Sequence, residues 1–306
     1  MNYINDLFAK YEIRKSKKQK TEFIEWIKDI AIKNKWDVEV TKDSFGARNI
    51  VIGNPDDAKV IFTAHYDTCA RMIVPNFITP KNVFIYLLYQ VLLCVVLMAP
   101  CVVLCAVLWK VFSLEFTFAL DLSYLLLLGI LFLMMFGPAN KHTANDNTSG
   151  VATILGLIDK FDSKKDKVAM ILFDFEEIGL VGSSSFSSKN KNIAKNTLLV
   201  NFDCVSDGNT MLFVLNKNTK DLLDKFKTSY ESNDDVNTDI VTKGVFYPSD
   251  QACFKKGVGV CAMKHNKLFK SGYIDRIHTV KDTVFRKENI EFLVEGSYRL
   301  YKNITK

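Results

Sequence analysis

Two apolar segments sit close together between His65 and Asp146, and they limit what this chain can fold into more than any other feature. Residues 83–108 run for 26 positions without a charge, and 116–136 for 21 with only Asp121. As a helix at ~1.5 Å per residue, the first would reach ~39 Å, more than the ~30 Å hydrocarbon core of a bilayer. Asp121 would cost on the order of 2.5–3.5 kcal/mol at mid-bilayer and less near an interface. The short "WKVFSLE" connection would put it near one. A pair of core helices or a hydrophobic lid is the competing possibility. It would need more covering surface than the remaining chain can spare. The expectation is therefore a membrane hairpin, residues 81–137, inserted into a catalytic domain made of 1–80 and 138–306. Two spans return the chain to the side it left.

Hydrophobic residues make up 48% of the 306, but the excess is concentrated in this insertion. The rest has the charge and apolar content of one ordinary globular domain. The net charge is +6, and basic residues gather in "IRKSKKQK", 13–20. That cluster reads first as the solvated start of a helix, and second as a stretch drawn to anionic lipid. No aromatic residues interleave it and no basic stripe accompanies it, so nucleic acid is not an expected partner. Seven cysteines without a CxxC suit a reducing compartment. The N-terminus lacks an apolar core followed by a small-residue cleavage site, which leads us to expect the catalytic domain in the cytoplasm. Arg71, Lys81 and Lys141 flank the hairpin, against Lys110 alone in its turn. That asymmetry agrees with the positive-inside rule for a two-span protein of the cell membrane.

Outside the insertion, strand and helix patterns alternate. "WDVEVTKD" and "RNIVIGN" alternate polar and apolar residues around Gly46 and read as a hairpin. "AKVIFTAHYD", "KVAMILFDFEE" and "NTLLVNFDCVS" are continuous apolar runs of buried-strand length, and "MLFVLN" and "VGVCAMK" add two more strands. Helical spacing marks 23–32, "SGVATILGLIDKF", "TKDLLDKFKTSY", a short "SDQACFKKG" and the closing "KENIEFLVEGSYRLYKNI". This order predicts an α/β fold: a mixed, mostly parallel sheet with helices on both faces, interrupted by the hydrophobic hairpin.

Five side chains with metal-ligand character fall in suggestive places: His65, Asp146, Glu177, Asp203 and His278. His65, Glu177 and Asp203 stand at or just past the carboxyl ends of predicted strands, where an open α/β sheet places its ligands. Two histidines and three carboxylates suit two zinc ions, one carboxylate bridging, with cobalt or manganese as substitutes. Two metals ~3.5–4 Å apart can hold a water between them and lower its pKa toward ~7. Glu176 and Glu177 are neighbours and point in different directions, which assigns Glu177 to metal and Glu176 to general base. His142 and His265 are left as structural or solvent-exposed.

The segments "AHYDT", "ANDNTSGVA", "DFEEIGLVGS", "NFDCVSDG", "YPSDQACF" and "IHTVKDT" occur in the order seen in the di-zinc aminopeptidase family, which includes bacterial leucyl aminopeptidases, aminopeptidase Y, glutamate carboxypeptidase and the glutaminyl cyclases. The resemblance runs from about Lys59 to Thr283, apart from the insertion. It implies that Asp67 orients the His65 imidazole and that Asp146 bridges, followed by a cis peptide to Asn147. It also implies Glu176 as the base, with Glu177, Asp203 and His278 completing the ligands. The implied activity is hydrolysis of a peptide or amide bond, most simply by an aminopeptidase acting on a peptide or N-acyl amino acid. Hydrophobic or lipid-linked substrates become accessible if the site sits at the membrane. The alternatives on this fold are a glutaminyl-cyclase-like acyltransferase with one zinc and a non-catalytic membrane binding protein. The chain keeps every ligand, which argues against both. It departs from the family in having Gln251 after Ser249–Asp250 and Ile277 before His278. The oxyanion donor is thus open, with Tyr247 and Tyr273 nearby in sequence.

Overall fold

The computed structural model describes residues 3–43 and 45–306. In chain order the helices and strands are α1 (Ile4–Tyr11), α2 (Lys17–Lys33), β1 (Val38–Lys42), β2 (Arg48–Ile52), β3 (Val60–His65), α3 (Val83–Lys110), α4 (Phe116–Phe136), α5 (Ser149–Lys160), β4 (Val168–Phe173), α6 (Val181–Lys189), α7 (Lys191–Asn196), β5 (Leu198–Phe202), β6 (Thr210–Leu215), α8 (Leu223–Ser229), β7 (Asn237–Val241), β8 (Gly257–Met263) and α9 (Lys287–Thr305). The eight strands form one sheet in the order β1-β2-β4-β3-β5-β8-β6-β7. Its centre, β4-β3-β5-β8, is parallel, and β1, β2 and β6 enter antiparallel to their inner neighbours.

Burial follows from position. Every residue of β3, β4 and β5 is buried, because helices cover both faces of the sheet. On one face α5 packs on β3 and α9 packs on α5, and residues such as Ile154, Leu157, Ile290 and Leu293 share one apolar cluster. On the other, Phe186 of α6 and Ile193 of α7 pack on Ile171 and Phe173. β7 and the serine-rich α6 are elements that the sequence reading did not pick out. β7 is a five-residue edge strand with mostly half-buried side chains, and so carries no apolar run.

The basic cluster at 13–20 needs correction. Ser16 caps α2, its side chain and that of Gln19 forming a reciprocal capping box. Arg14 and Lys20 are not solvated, however. Lys20 is buried and paired with Asp174 at the end of β4. Arg14 is fully buried, donating to the carbonyls of Tyr66 and Tyr11 at 2.5 Å and to Thr148 Oγ1 at 3.2 Å. It thus links the residue after His65 to the loop that carries Asp146. Arg14→Ala leaves those acceptors without a donor and should destabilise the fold by ~1–3 kcal/mol for each acceptor left buried and unpaired. Urea unfolding would show this as a lower midpoint.

The insertion forms two antiparallel helices that pack on each other and, beyond their root, stand clear of the sheet domain. Their apolar side chains are exposed along the length, and Cys101, Ala119 and Ser123 are the buried residues. Small residues at the contact allow close approach of the two backbones. Both helices are long and apolar enough to cross a membrane. The root is clasped by the sheet domain: Ala70 bridges Ala139, and Arg71 N–H donates to Pro138 O at 2.8 Å.

Candidate metal centre

The ends of three parallel strands set the site. His65 is the last residue of β3, Asp203 follows β5, and Glu176 and Glu177 stand in the loop after β4. Asp146 lies in the turn before α5, and His278 in the loop before α9. The Asp146–Asn147 peptide is cis, as the resemblance implies. Phe175, Cys204 and His278 have φ of +57°, +55° and +63°. Non-glycine residues seldom adopt that left-handed conformation, and it clusters at functional sites.

The contacts fall into two sets that share Asp146. His65 Nε2 lies 3.3 Å from Asp146 Oδ1 and 3.5 Å from Asp203 Oδ1. His278 Nε2 lies 3.1 Å from Asp146 Oδ2 and 3.3 Å from Glu177 Oε2. Each oxygen of Asp146 therefore faces a different imidazole and a different second carboxylate. Asp67 lies behind this pair. Its carbonyl is 3.1 Å from His65 Nδ1 and its carboxylate 3.5 Å. The carboxylate accepts the backbone N–H groups of Glu176 at 3.0 Å and Glu177 at 3.3 Å, fixing the turn that presents both glutamates.

Several positioning residues had not been singled out from sequence. Asp282 accepts the N–H groups of Asn145 and Asp146 at 2.7 and 3.0 Å. Asn147 donates to Phe202 O at 2.9 Å and accepts from Gly150 N–H at 3.0 Å, tying the Asp146 turn to the end of β5. Their signal was present in the quoted segments, as polar residues flanking the assigned ligands. Asp250 is a further buried carboxyl near the site, and Ser249 Oγ lies 3.4 Å from Glu176 Oε1. The open tyrosine question resolves in part. The Tyr247 hydroxyl donates to Asp203 O at 3.0 Å, while Tyr273 packs at a tilt against the rings of Phe77 and Phe269. His142 stands near Glu12, and His265 contacts Lys270 O; both lie away from the cluster.

The donor set fits divalent cations. Burial drives Glu176 and Glu177 well above the ordinary carboxylate range; His65 opposes this at both, while Asp203 pushes Glu176 further and Asp146 does so at Glu177. Burial likewise raises Asp250 to about 7 and Asp282 to about 8. Among the described residues no lysine or arginine is ion-paired with Asp146, Glu176, Glu177 or Asp203. Glu177 Oε1 is buried without a hydrogen-bond partner. Such a concentration of negative charge is costly unless cations are held there. Asp282→Ala should lower metal affinity by ~10–100-fold, the usual effect of removing a group that orients a ligand; titration with a chelating indicator would measure it.

Peptidase family M28 matches residues 132–291, more than half of the chain, and the chain belongs to that family. The match contains Asp146, Glu176, Glu177, Asp203 and His278; His65 and Asp67 precede it, on the other side of the insertion. The fold is similar to that of the Legionella pneumophila LapA aminopeptidase (16% identity, TM-score 0.56, covering 98% of this chain and 69% of that one). It is also similar to a glutaminyl cyclase from Bacteroides thetaiotaomicron (13%, 0.60, 99% and 96%). A leucine aminopeptidase precursor from the same organism is similar too (13%, 0.60, 99% and 95%). No curated protein matches the sequence. Family membership makes the chain a metal-dependent, peptidase-type hydrolase.

Proposed function

We propose that the protein is a membrane-held aminopeptidase-type hydrolase with two zinc ions. The observation that carries this reading is the division of Asp146, one oxygen toward His65 and Asp203, the other toward His278 and Glu177. His65 and Asp203 would hold one ion and His278 and Glu177 the other, with Asp146 facing both sets. Such ions, when bound, acidify water and withdraw charge from a carbonyl oxygen.

The chain's own residues do the rest. Glu176 is free of His65 and His278 contacts and lines the cavity, so its carboxylate takes the proton of the attacking water and delivers it to the leaving amine. Asp67 holds the backbone of Glu176 in place for both transfers. The cavity has a volume of about 220 Å³, below the ~300–1,000 Å³ of typical ligand pockets. That size supports action on one terminal residue rather than along an extended peptide. The two apolar helices are read as transmembrane spans. Arg71, Lys81 and Lys141 at their root support placing the catalytic domain on the cytoplasmic side.

Metal analysis of the purified full chain, together with hydrolysis assays on free and N-acylated amino-acid amides, tests the reading. Two zinc ions per chain and cleavage of amides with a free amine are expected. Removal of metal by a chelator should abolish turnover, and added zinc should restore it. One ion per chain with cyclisation of N-terminal glutamine would favour the acyltransferase alternative. Turnover that survives complete metal removal would overturn the hydrolytic mechanism.

A further inference from the structure

We infer that the root of the hairpin forms one wall of the substrate pocket, with Tyr86 as a specificity-determining residue for a bulky apolar group beside the scissile bond. The inference rests on the hydrolase reading above and names the substrate class for that site.

Tyr86 lies in the first turn of α3, yet it lines the same cavity as His65, Asp146, Glu176 and His278. Its ring is 5.7 Å from that of Phe246, which also lines the cavity. Ile78 and Ile277 add further apolar lining. Outside the centre itself the lining carries no charged side chain, so nothing there would pair with a charged substrate group. An apolar group entering beside this lining gains burial against aromatic and aliphatic surface, whereas a charged one loses hydration uncompensated.

The sheet domain fixes the root in this place. Ile78 and Ile274 exchange backbone hydrogen bonds of 2.9 and 2.8 Å, and Phe246 N–H donates to Pro80 O at 2.9 Å. Lys81 Nζ is 2.5 Å from Asp239 Oδ2, and the Tyr89 hydroxyl donates to Pro75 O. Helix length points the same way. The helices share a turn at one end, but α3 has 28 residues against 21 in α4. At ~1.5 Å per residue the difference is ~10 Å, and it falls at the root. Tyr86, in the first turn of α3, thus lies beyond what matches α4 and lines the catalytic cavity. Phe246 at the lip is 47% exposed and Phe84 beside the root 76%. Apolar surface therefore continues from the pocket mouth onto the hairpin. The substrates this fits are peptides with a large apolar terminal residue, of the kind released when a membrane-spanning segment is cut.

The test compares phenylalanine amide with alanine amide on the metal-loaded full chain. It also measures calorimetric binding of free phenylalanine and free alanine. The wild type is expected to favour phenylalanine in both. Tyr86→Ala should raise KM for phenylalanine amide ~10-fold, the scale of lost apolar contact in a pocket, with kcat and the alanine amide nearly unchanged. Tyr86→Phe should behave as wild type, because the ring and not the hydroxyl forms the wall. Equal loss on both amides in Tyr86→Ala, or no loss on phenylalanine amide, would overturn the assignment. If no amide is cleaved but phenylalanine still binds better than alanine in a Tyr86-dependent way, the wall stands and the hydrolase reading falls.

Discussion

Glu176→Ala is expected to reduce kcat at least ~10²-fold, the scale of a positioned acid–base group, while metal content stays near that of the wild type. Glu177→Ala is expected to do the reverse in order of cause: metal content falls, and activity falls with it. The two residues are chain neighbours whose N–H groups are both held by the Asp67 carboxylate, so their side chains diverge from one anchored turn. Glu177 Oε2 reaches His278 Nε2 at 3.3 Å, whereas Glu176 Oε1 has Ser249 Oγ at 3.4 Å and otherwise faces the cavity. Burial raises both carboxyls, and a bound cation would oppose this. For Glu176 this suits a group that must accept a proton and give it back. Glu177 differs in having a buried oxygen without any hydrogen-bond partner, as a ligand position would. Steady-state kinetics alongside elemental analysis of both variants decides the matter. A metal-depleted Glu176→Ala with a metal-replete, slow Glu177→Ala would reverse the two roles.

The central strands could be read in the sequence because their burial is complete. β3, β4 and β5 are covered on both faces, so "VIFTAH", "VAMILF" and "LLVNF" are mostly apolar, and the polar Thr63 and Asn201 within them are buried and bonded to each other at 2.8 Å. His65, Glu177 and Asp203 could be read because they stand at or just past the ends of those runs, whereas Asp146 and His278 lie in the loops before α5 and α9. What depends on contact between distant segments left a weaker mark. Arg14 and Lys20 looked like surface charge within a basic run, yet each answers a partner far along the chain, Tyr66 and Asp174 respectively. Asp282 is one acid among several until its two backbone partners in the Asp146 turn are seen. Tyr86 offered no signal at all. It lies in an apolar helix remote from every motif, and only the closure of the root by Ala70 and Ala139 and by Ile78 and Ile274 brings it to the cavity.

The chain is expected to stay with the membrane through an alkaline carbonate wash, and the turn between the helices to lie on the opposite side from the root. The two helices have almost no buried surface, although long-lived exposure of so much apolar area to water is rare in soluble proteins. Among the described residues nothing in the sheet domain folds over them as a lid would require. α4, at 21 residues and ~1.5 Å each, matches the ~30 Å hydrocarbon core. Pro100 within α3 is tolerated in a spanning helix where neighbouring groups re-satisfy the backbone. Trp109 packs on Phe116 with the Lys110 ammonium over the Trp109 ring, placing an aromatic and a cation together at the far end, as interfacial residues do. Asp121, exposed in the second turn of α4, lies toward that same end, where its charge costs less than at mid-bilayer. At the root, Lys15 donates to Met135 O at 2.8 Å, and Arg71 and Lys141 stand nearby, a basic collar suited to an anionic leaflet. Cysteines introduced as Phe112→Cys in the turn and Lys141→Cys at the root, read against the unsubstituted chain, should be labelled by an impermeant reagent from opposite sides. Release of the protein by carbonate, or labelling of both positions from one side, would leave the helices lying on the membrane or packed elsewhere and would remove the two spans.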